Sequence, residues 1–204
     1  MVADSALKRR RRSPEEARTE ILRAAELFLR EHPLRDLTVD EVMAGTGLSR
    51  PSFYVYFRDR HALLLSLVEE LGAELFAQAD RWLKGTGGAV ADARAALSGI
   101  AGVYGEHGRA LRAIADASSL DPQVEAVYRG LVERFVAATA EHVTEEMGAG
   151  RMEPVDPLET ARALVWMTER YLLDRLGARE PAPVAGVVET LHTVWVRALY
   201  GRTP

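Results

Sequence analysis

The sequence predicts an all-α fold of about nine helices, a small three-helix N-terminal head followed by a larger helical bundle. Three observations carry this. Apolar residues recur at helical three- and four-residue spacing along almost the whole chain. The stretches are divided by Gly, Pro and N-capping Ser, Thr or Asp. No segment alternates with period two between turns, so no sheet is expected.

Ser13-Pro14-Glu15-Glu16 reads as a complete helix start: Ser13 as N-cap, Pro14 at the first position and Glu16 closing a capping box. The first helix runs to about Glu31, turns Ile21, Ala24, Ala25 and Phe28 inward, and ends before Pro33. Thr38 caps a second, short helix with Val39, Val42 and Met43 on its apolar face. Gly45-Thr46-Gly47 stops it, and Leu48 plugs the space before the next helix. Ser49 is placed to cap that third helix, with Pro51 in its first turn. It carries Arg50, Ser52, Tyr54, Val55 and Tyr56 outward and Phe53 and Phe57 inward.

A fourth helix from near Asp59 to about Lys84 has a stripe of Leu64, Leu67, Val68, Leu71, Leu75 and Trp82 that joins head to body. Gly85-Thr86-Gly87-Gly88 breaks the chain; with no strand before it and no Lys-Ser/Thr after it, it is not a phosphate loop. The body then reads as helices over about Ala89–Gly105, Gly108–Ser118, Pro122–Met147, Leu158–Leu176 and Val184–Tyr200, with a Gly- and Pro-rich loop at Gly148–Pro157. The domain reading is a basic arm at 1–12, disordered when free, a head at 13–58 and a body at 59–204.

With 204 residues the chain is long enough to bury a substantial core. It has no cysteine, which excludes disulfides, thiolate catalysis and Cys-based zinc sites. No apolar run approaches the roughly 18 residues of a membrane span. The basic N-terminus lacks a hydrophobic stretch behind it, so it does not read as a secretory signal, and the expected location is the cytoplasm. The net charge of −4 is unevenly spread. Residues 1–60 hold 12 Lys and Arg against 10 Asp and Glu, while the remainder holds 14 against 20. A basic end on an acidic body is the asymmetry expected when only one end meets phosphate. Lys8, Arg9, Arg10, Arg11 and Arg12 form the densest basic run, either a solvated tail or an arm reaching a minor groove.

The run from Thr38 to Arg60, TVDEVMAGTGLSRPSFYVYFRDR, reads as a helix-turn-helix able to enter duplex DNA. A short rigid helix presenting hydroxyls and a guanidinium suits phosphates and base edges in a major groove. The residues expected at the DNA are Thr38, Ser49, Arg50, Pro51, Ser52, Tyr54, Val55, Tyr56 and Arg60.

The segment LSRPSFYVYFRDRHALL, lying after one long helix near the N-terminus, resembles the signature of the TetR family of transcriptional regulators. MTERYLL at Met167–Leu173 and ETLHTVWVRALYG at Glu189–Gly201 look most like the EthR subgroup, the mycobacterial-type repressors of a Baeyer–Villiger monooxygenase. For the head, the resemblance places Tyr54 and Tyr56 at exposed aromatic positions with hydroxyls toward phosphates. Val55 comes at a position that is often aromatic, and Arg60 where the family usually has Lys. For the body it implies a pocket lined by Ile100, Tyr104, Tyr128, Val132, Phe135, Thr139, Thr168, Glu169, Leu172 and Trp195. Val165 and Thr168 stand where EthR has Asn, and Ala138 and Leu173 where it has aromatics, so the polar grip on a ligand is reduced here to a hydroxyl. From the residues alone, the concentration of Tyr104, Tyr128, Phe135, Trp166, Tyr171 and Trp195 in the middle and late helices fits either an aromatic-lined cavity or ordinary core.

Val184, Val187, Val188, Leu191, Trp195 and Ala198 form one stripe of the last helix, widened by Val194 and Leu199. The helix before it spreads Leu158, Ala161, Leu164, Val165, Leu172 and Leu176 over more than one side. Such residues either fill one protomer's core or, as the resemblance implies, pair the last two helices of two copies as a homodimer. The function that follows is a repressor that binds a palindromic DNA operator as a dimer and is released by a small apolar or amphiphilic effector. The alternatives are an activator of the same kind, or a helical small-molecule binding protein without DNA activity.

An enzyme is not expected, and neither is a cofactor. His32, His61, His107, His142 and His192 are scattered singly. His142 and Glu146 have metal-binding spacing but no third ligand, so they read as a solvated pair, with Glu141, Glu145 and Glu146 as an exposed acidic face. No nucleophile elbow, paired-carboxylate cleft or nucleotide fingerprint occurs.

Overall fold

The capping chemistry near the N-terminus forms as the sequence implies. In the computed structural model, which describes residues 13–85 and 88–201, α1 spans Pro14–Glu31. Ser13 Oγ accepts from Glu16 N at 3.1 Å, and Glu16 Oε2 accepts from Ser13 N at 2.7 Å. The basic run Lys8–Arg12 and the pair Thr86–Gly87 lie outside the described residues. After a single 3₁₀ turn at Leu34–Asp36 come α2 (Val39–Ala44), α3 (Arg50–Tyr56) and α4 (Arg60–Leu83). The body adds α5 (Ala89–Ser118), α6 (Pro122–Gly148), α7 (Pro157–Leu176) and α8 (Val184–Tyr200). Among the described residues there are eight α-helices and no strand.

Asp side chains start three of the long helices. Asp59 Oδ1 accepts from Ala62 N at 2.8 Å for α4, Asp121 Oδ1 from Gln123 N at 2.9 Å for α6, and Asp156 Oδ1 from Glu159 N at 3.0 Å for α7. Each satisfies an N–H that the helix leaves without a partner.

α5 corrects the sequence reading. Two helices were expected over Ala89–Gly105 and Gly108–Ser118, and the chain forms one of 30 residues. Gly108 is there for a close crossing, not a break. A Cβ on it would lie 3.0 Å from Leu176 O, and one on Gly177 would lie 2.7 Å from Gly108 O. The backbones of α5 and the end of α7 touch, and only two glycines permit it.

One apolar core runs from Ile21 and Leu22 in α1, through Leu63, Leu64, Leu67 and Leu71 of α4, to Leu191 and Leu199 in α8. Within the head Leu29 is buried where Phe28 was expected, and Phe28 is only half-buried. The stripe of α8 is also largely spent inside the protomer: Val187, Val188, Leu191, Trp195 and Leu199 are buried. Ala198, Val184 and Val194 stay exposed, as does Leu158 at the start of α7. At about 1.5 Å per residue the 24-residue α4 is about 36 Å long, enough to reach from the head deep into the body.

Candidate nucleic-acid interface and effector cavity

The turn between α2 and α3 is held from three sides. Thr46 Oγ donates to Met43 O at 2.9 Å and accepts from Leu48 N at 3.2 Å, while Glu20 of α1 accepts from Gly47 N at 2.7 Å. Phe53 and Phe57 are buried to 0% and 2% exposure, with ring centroids 5.6 Å apart, and fix α3 to the head by its inner face. The outer face therefore projects: Tyr54 is 51% and Val55 75% exposed. Arg50, Pro51, Ser49 and Thr38 are exposed as well, and Ser52 is half-buried.

Four details depart from the sequence reading. Ser49 makes no side-chain cap to α3; its hydroxyl pairs with that of Ser52 at 2.9 Å. Tyr56 is half-buried against the head core instead of fully outward. Arg60 donates to Leu37 O at 3.3 Å, which ties the start of α4 to the turn before α2. Arg50 is not free: its Nε lies 2.5 Å from Asp40 Oδ1, and its guanidinium sits 5.7 Å from the Tyr54 ring centroid. The partner ten residues away could not be read from local sequence. Any phosphate taken by Arg50 competes with Asp40 across the turn.

In the body, Ile100, Tyr104, Tyr128, Val132, Phe135, Thr139, Val165, Thr168, Glu169, Leu172 and Trp195 lie together on the wall of one cavity of about 90 Å³. Trp166 and Tyr171 are half-buried and do not line it. Sequence reasoning missed the α4 side of the wall, Leu75, Ala79, Trp82 and Leu83, and on α5 and α6 it missed Ala93, Ala96, Leu97, Leu111 and Leu131. Leu75 and Trp82 had been read only as the stripe joining head to body, and they serve both purposes.

The lining is almost wholly apolar, with two hydrogen bonds among its few polar groups. Trp195 Nε1 donates to Thr168 Oγ1 at 2.8 Å, and the Tyr128 hydroxyl donates to Glu169 Oε1. Burial pushes the Glu169 carboxyl above its usual range, although the Tyr128 bond and nearby Arg170 oppose the shift. Burial likewise raises the Tyr104 and Tyr128 hydroxyls. Phe135 stacks on Phe76 at 3.9 Å, and Trp195 meets Trp82 edge-on at 5.4 Å.

His142 and Glu146 are not a solvated pair. Both are buried, at 2% and 3% exposure, while Glu141 and Glu145 remain outside. Trp82 packs on the His142 ring at 4.2 Å, His142 Nδ1 donates to Leu83 O at 3.2 Å, and Arg151 Nε donates to Glu146 Oε1 at 2.9 Å. Burial lowers the basicity of His142, and the Arg151 guanidinium holds Glu146 below its usual range. This cluster anchors the end of α4 to α6. No group of three or more His, Asp or Glu among the described residues is placed to hold a metal ion. No described helix is long and apolar enough to cross a membrane.

Comparison with known proteins agrees with this geometry. The profile of the bacterial regulatory proteins of the tetR family matches residues 21–67, and that of the C-terminal domain of the transcriptional regulator EthR matches residues 93–201. The HTH-type transcriptional regulator EthR of Mycobacterium tuberculosis H37Rv is 32% identical over 189 residues, covering 89% of this chain and 86% of the relative. The Mycolicibacterium smegmatis EthR is 31% identical over 95% of this chain and 91% of its own length. Among solved structures, Salmonella enterica GusR superposes with a TM-score of 0.78 at 18% identity, over 92% of this chain and 97% of that one. SmeT, the repressor of a Stenotrophomonas maltophilia multidrug efflux pump, gives 0.72 at 19%, over 92% of this chain and 95% of its own. The projecting α3, the apolar cavity of the body and the likeness over nine-tenths of its length lead to one assignment: this chain belongs to the TetR family of helix-turn-helix transcriptional regulators, in the group that carries the EthR C-terminal domain.

Proposed function

We propose that the protein is a cytoplasmic repressor that binds a palindromic operator as a homodimer and leaves it when a small, mainly apolar effector fills the body cavity. The observation that carries this reading is the double use of α4. Its far end, Leu75, Ala79, Trp82 and Leu83, forms part of the cavity wall, while its first residue, Arg60, is bonded to the head at Leu37 O. A ligand that widens the cavity pushes on the same rod that holds the head. Ligand pockets usually enclose roughly 300–1,000 Å³, and this one encloses about 90 Å³. An effector seated wholly within it therefore has to displace the wall. It shifts the balance between the two arrangements only by its difference in affinity for them.

At the DNA, Tyr54 and Tyr56 hydroxyls, Ser49, Ser52 and Thr38 serve the phosphates. Arg50 and Val55 face the base edges, and Arg60 and Pro51 shape the entry of the helices. One such short helix reads too few bases for specificity, and a twofold pair reads two half-sites roughly 34–36 Å apart. We place the pairing surface on the outward faces of α7 and α8, where Leu158, Val184 and Val194 are exposed.

The test is an equilibrium titration of the protein against duplexes selected from a randomised pool, with and without a compound that raises its melting temperature. The reading expects two protomers per palindrome, an affinity that falls steeply with salt, and at least tenfold weaker binding with the compound. Equal affinity with every stabilising compound would remove the switch.

A further inference from the structure

Among the described residues Glu169 is the one ionisable carboxyl on the cavity wall, and no Lys, Arg or His lines the cavity with it. Its side chain is 6% exposed. Oε1 accepts from the Tyr128 hydroxyl, while Oε2 is buried and accepts no hydrogen bond. The nearest cation is Arg170 Nε, at 3.8 Å from Oε2; that is beyond hydrogen-bond reach, and the Arg170 side chain is 66% exposed to solvent. A buried carboxyl oxygen without a donor is costly, and a ligand that brings an N–H to it relieves the cost. A ligand carboxylate would do the reverse, placing a second negative group in an apolar space with no cation on its lining. Burial raises the Glu169 carboxyl even though Arg170 opposes the shift. The ring faces of Tyr104, Tyr128 and Trp195 on the same wall add attraction for a cation.

We propose that the effector class is a lipophilic amine, an apolar body with one protonatable nitrogen whose N–H donates to Glu169 Oε2, and that fatty carboxylates are rejected. The class rests on the effector-cavity reading above, but it has its own readout. The nitrogen lies between α6, which supplies Tyr128, and α7, which supplies Glu169, and the chain lies along the aliphatic wall toward α4.

The test compares octylamine, 1-octanol and octanoate on the full-length protein, by melting temperature and tryptophan fluorescence titration at pH 7.5. Octylamine should bind about tenfold or more tightly than 1-octanol, a fold-change equal to about 1.4 kcal/mol, and octanoate weakest. In Glu169→Gln, of the same shape, octylamine and 1-octanol should come within about twofold of each other, with 1-octanol little changed. Octylamine no tighter than 1-octanol on the natural protein overturns the proposal without any variant. So does an amine preference that survives Glu169→Gln, or no binding of any of the three. The same octylamine is then added to the protein–DNA complex. A Glu169-dependent amine preference that leaves DNA affinity unchanged upholds the ligand class and refutes the cavity as the switch.

Discussion

His107 Nδ1 on α5 lies 2.7 Å from Glu26 Oε1 on α1, so the head is clamped to the body by a contact separate from α4. The same imidazole has Glu74 Oε2 of α4 at 3.6 Å from Nε2, and Arg109 two residues along meets both carboxylate oxygens of Glu31, at 2.7 and 3.1 Å. Head, lever and body therefore meet at one small cluster. We expect a displacement of α4 relative to α5 to be felt by α1.

We expect His107→Leu to lower stability by about 1.5–3 kcal/mol, the size of a hydrogen bond to a charged group. The substitution should also reduce the loss of DNA affinity that a cavity ligand causes. Thermal melting and DNA titration with and without ligand read the two effects. An unchanged ligand effect would show that α4 alone transmits the signal.

Tyr54→Ala should abolish specific DNA binding while shifting the melting temperature little, because half of the side chain faces solvent. Phe53→Ala, one residue away and fully buried, should cost about 3–5 kcal/mol of stability. Equal destabilisation by the two would place Tyr54 in the core and remove it from the DNA surface.

The crossing of α5 and α7 predicts an asymmetry among glycines. Gly177→Ala puts a methyl 2.7 Å from Gly108 O and should cost about 1–3 kcal/mol, as overpacking does. Gly130→Ala, in the middle of α6 with nothing within 4 Å, should stabilise by about 0.5–1 kcal/mol. Denaturant unfolding of both variants checks the sign.

Much of this architecture was legible in the sequence because its causes are local. Ser13, Pro14 and Glu16 specify a helix start within four residues, and the spacing of Phe53 and Phe57 sets which face of α3 points inward. What was not legible depends on distant partners. Gly108 looks like a break until the backbone at Leu176–Gly177 is seen against α5. His142 and Glu146 look solvated until Trp82 covers one and Arg151 reaches the other. The cavity divides in the same way. Part of its α5 to α8 wall followed from the family resemblance, while the α4 wall was hidden in a stripe already assigned to core packing.

Acid should weaken the fold through His142. Its basicity is lowered in the folded protein from an ordinary value of 6.5, so the unfolded chain binds the proton more readily. That contribution is complete above about pH 6.5 and is lost as pH falls below it. The Glu146 contribution is lost only below about 4.5. The raised carboxyl of Glu169 acts oppositely, destabilising as pH rises above about 4.5. The clean comparison is therefore with His142→Asn, which keeps a donor for Leu83 O. Between pH 7.5 and 5.5 the natural protein should lose more of its melting temperature than this variant; identical slopes would show that His142 does not titrate with unfolding.

The central claim, that two heads are held at a separation set by the cavity, is open to one direct measurement. The chain has no cysteine, so Ala44→Cys at the exposed end of α2 gives one spin label per protomer. Pulsed dipolar spectroscopy then reports the distance between labels in the free protein, with 1-octanol or octylamine, and with selected DNA. We expect a single dimer distance that narrows on DNA and moves away from the DNA-bound value when the ligand is added. The absence of dipolar coupling, or one unchanged distribution with and without saturating ligand, would contradict it.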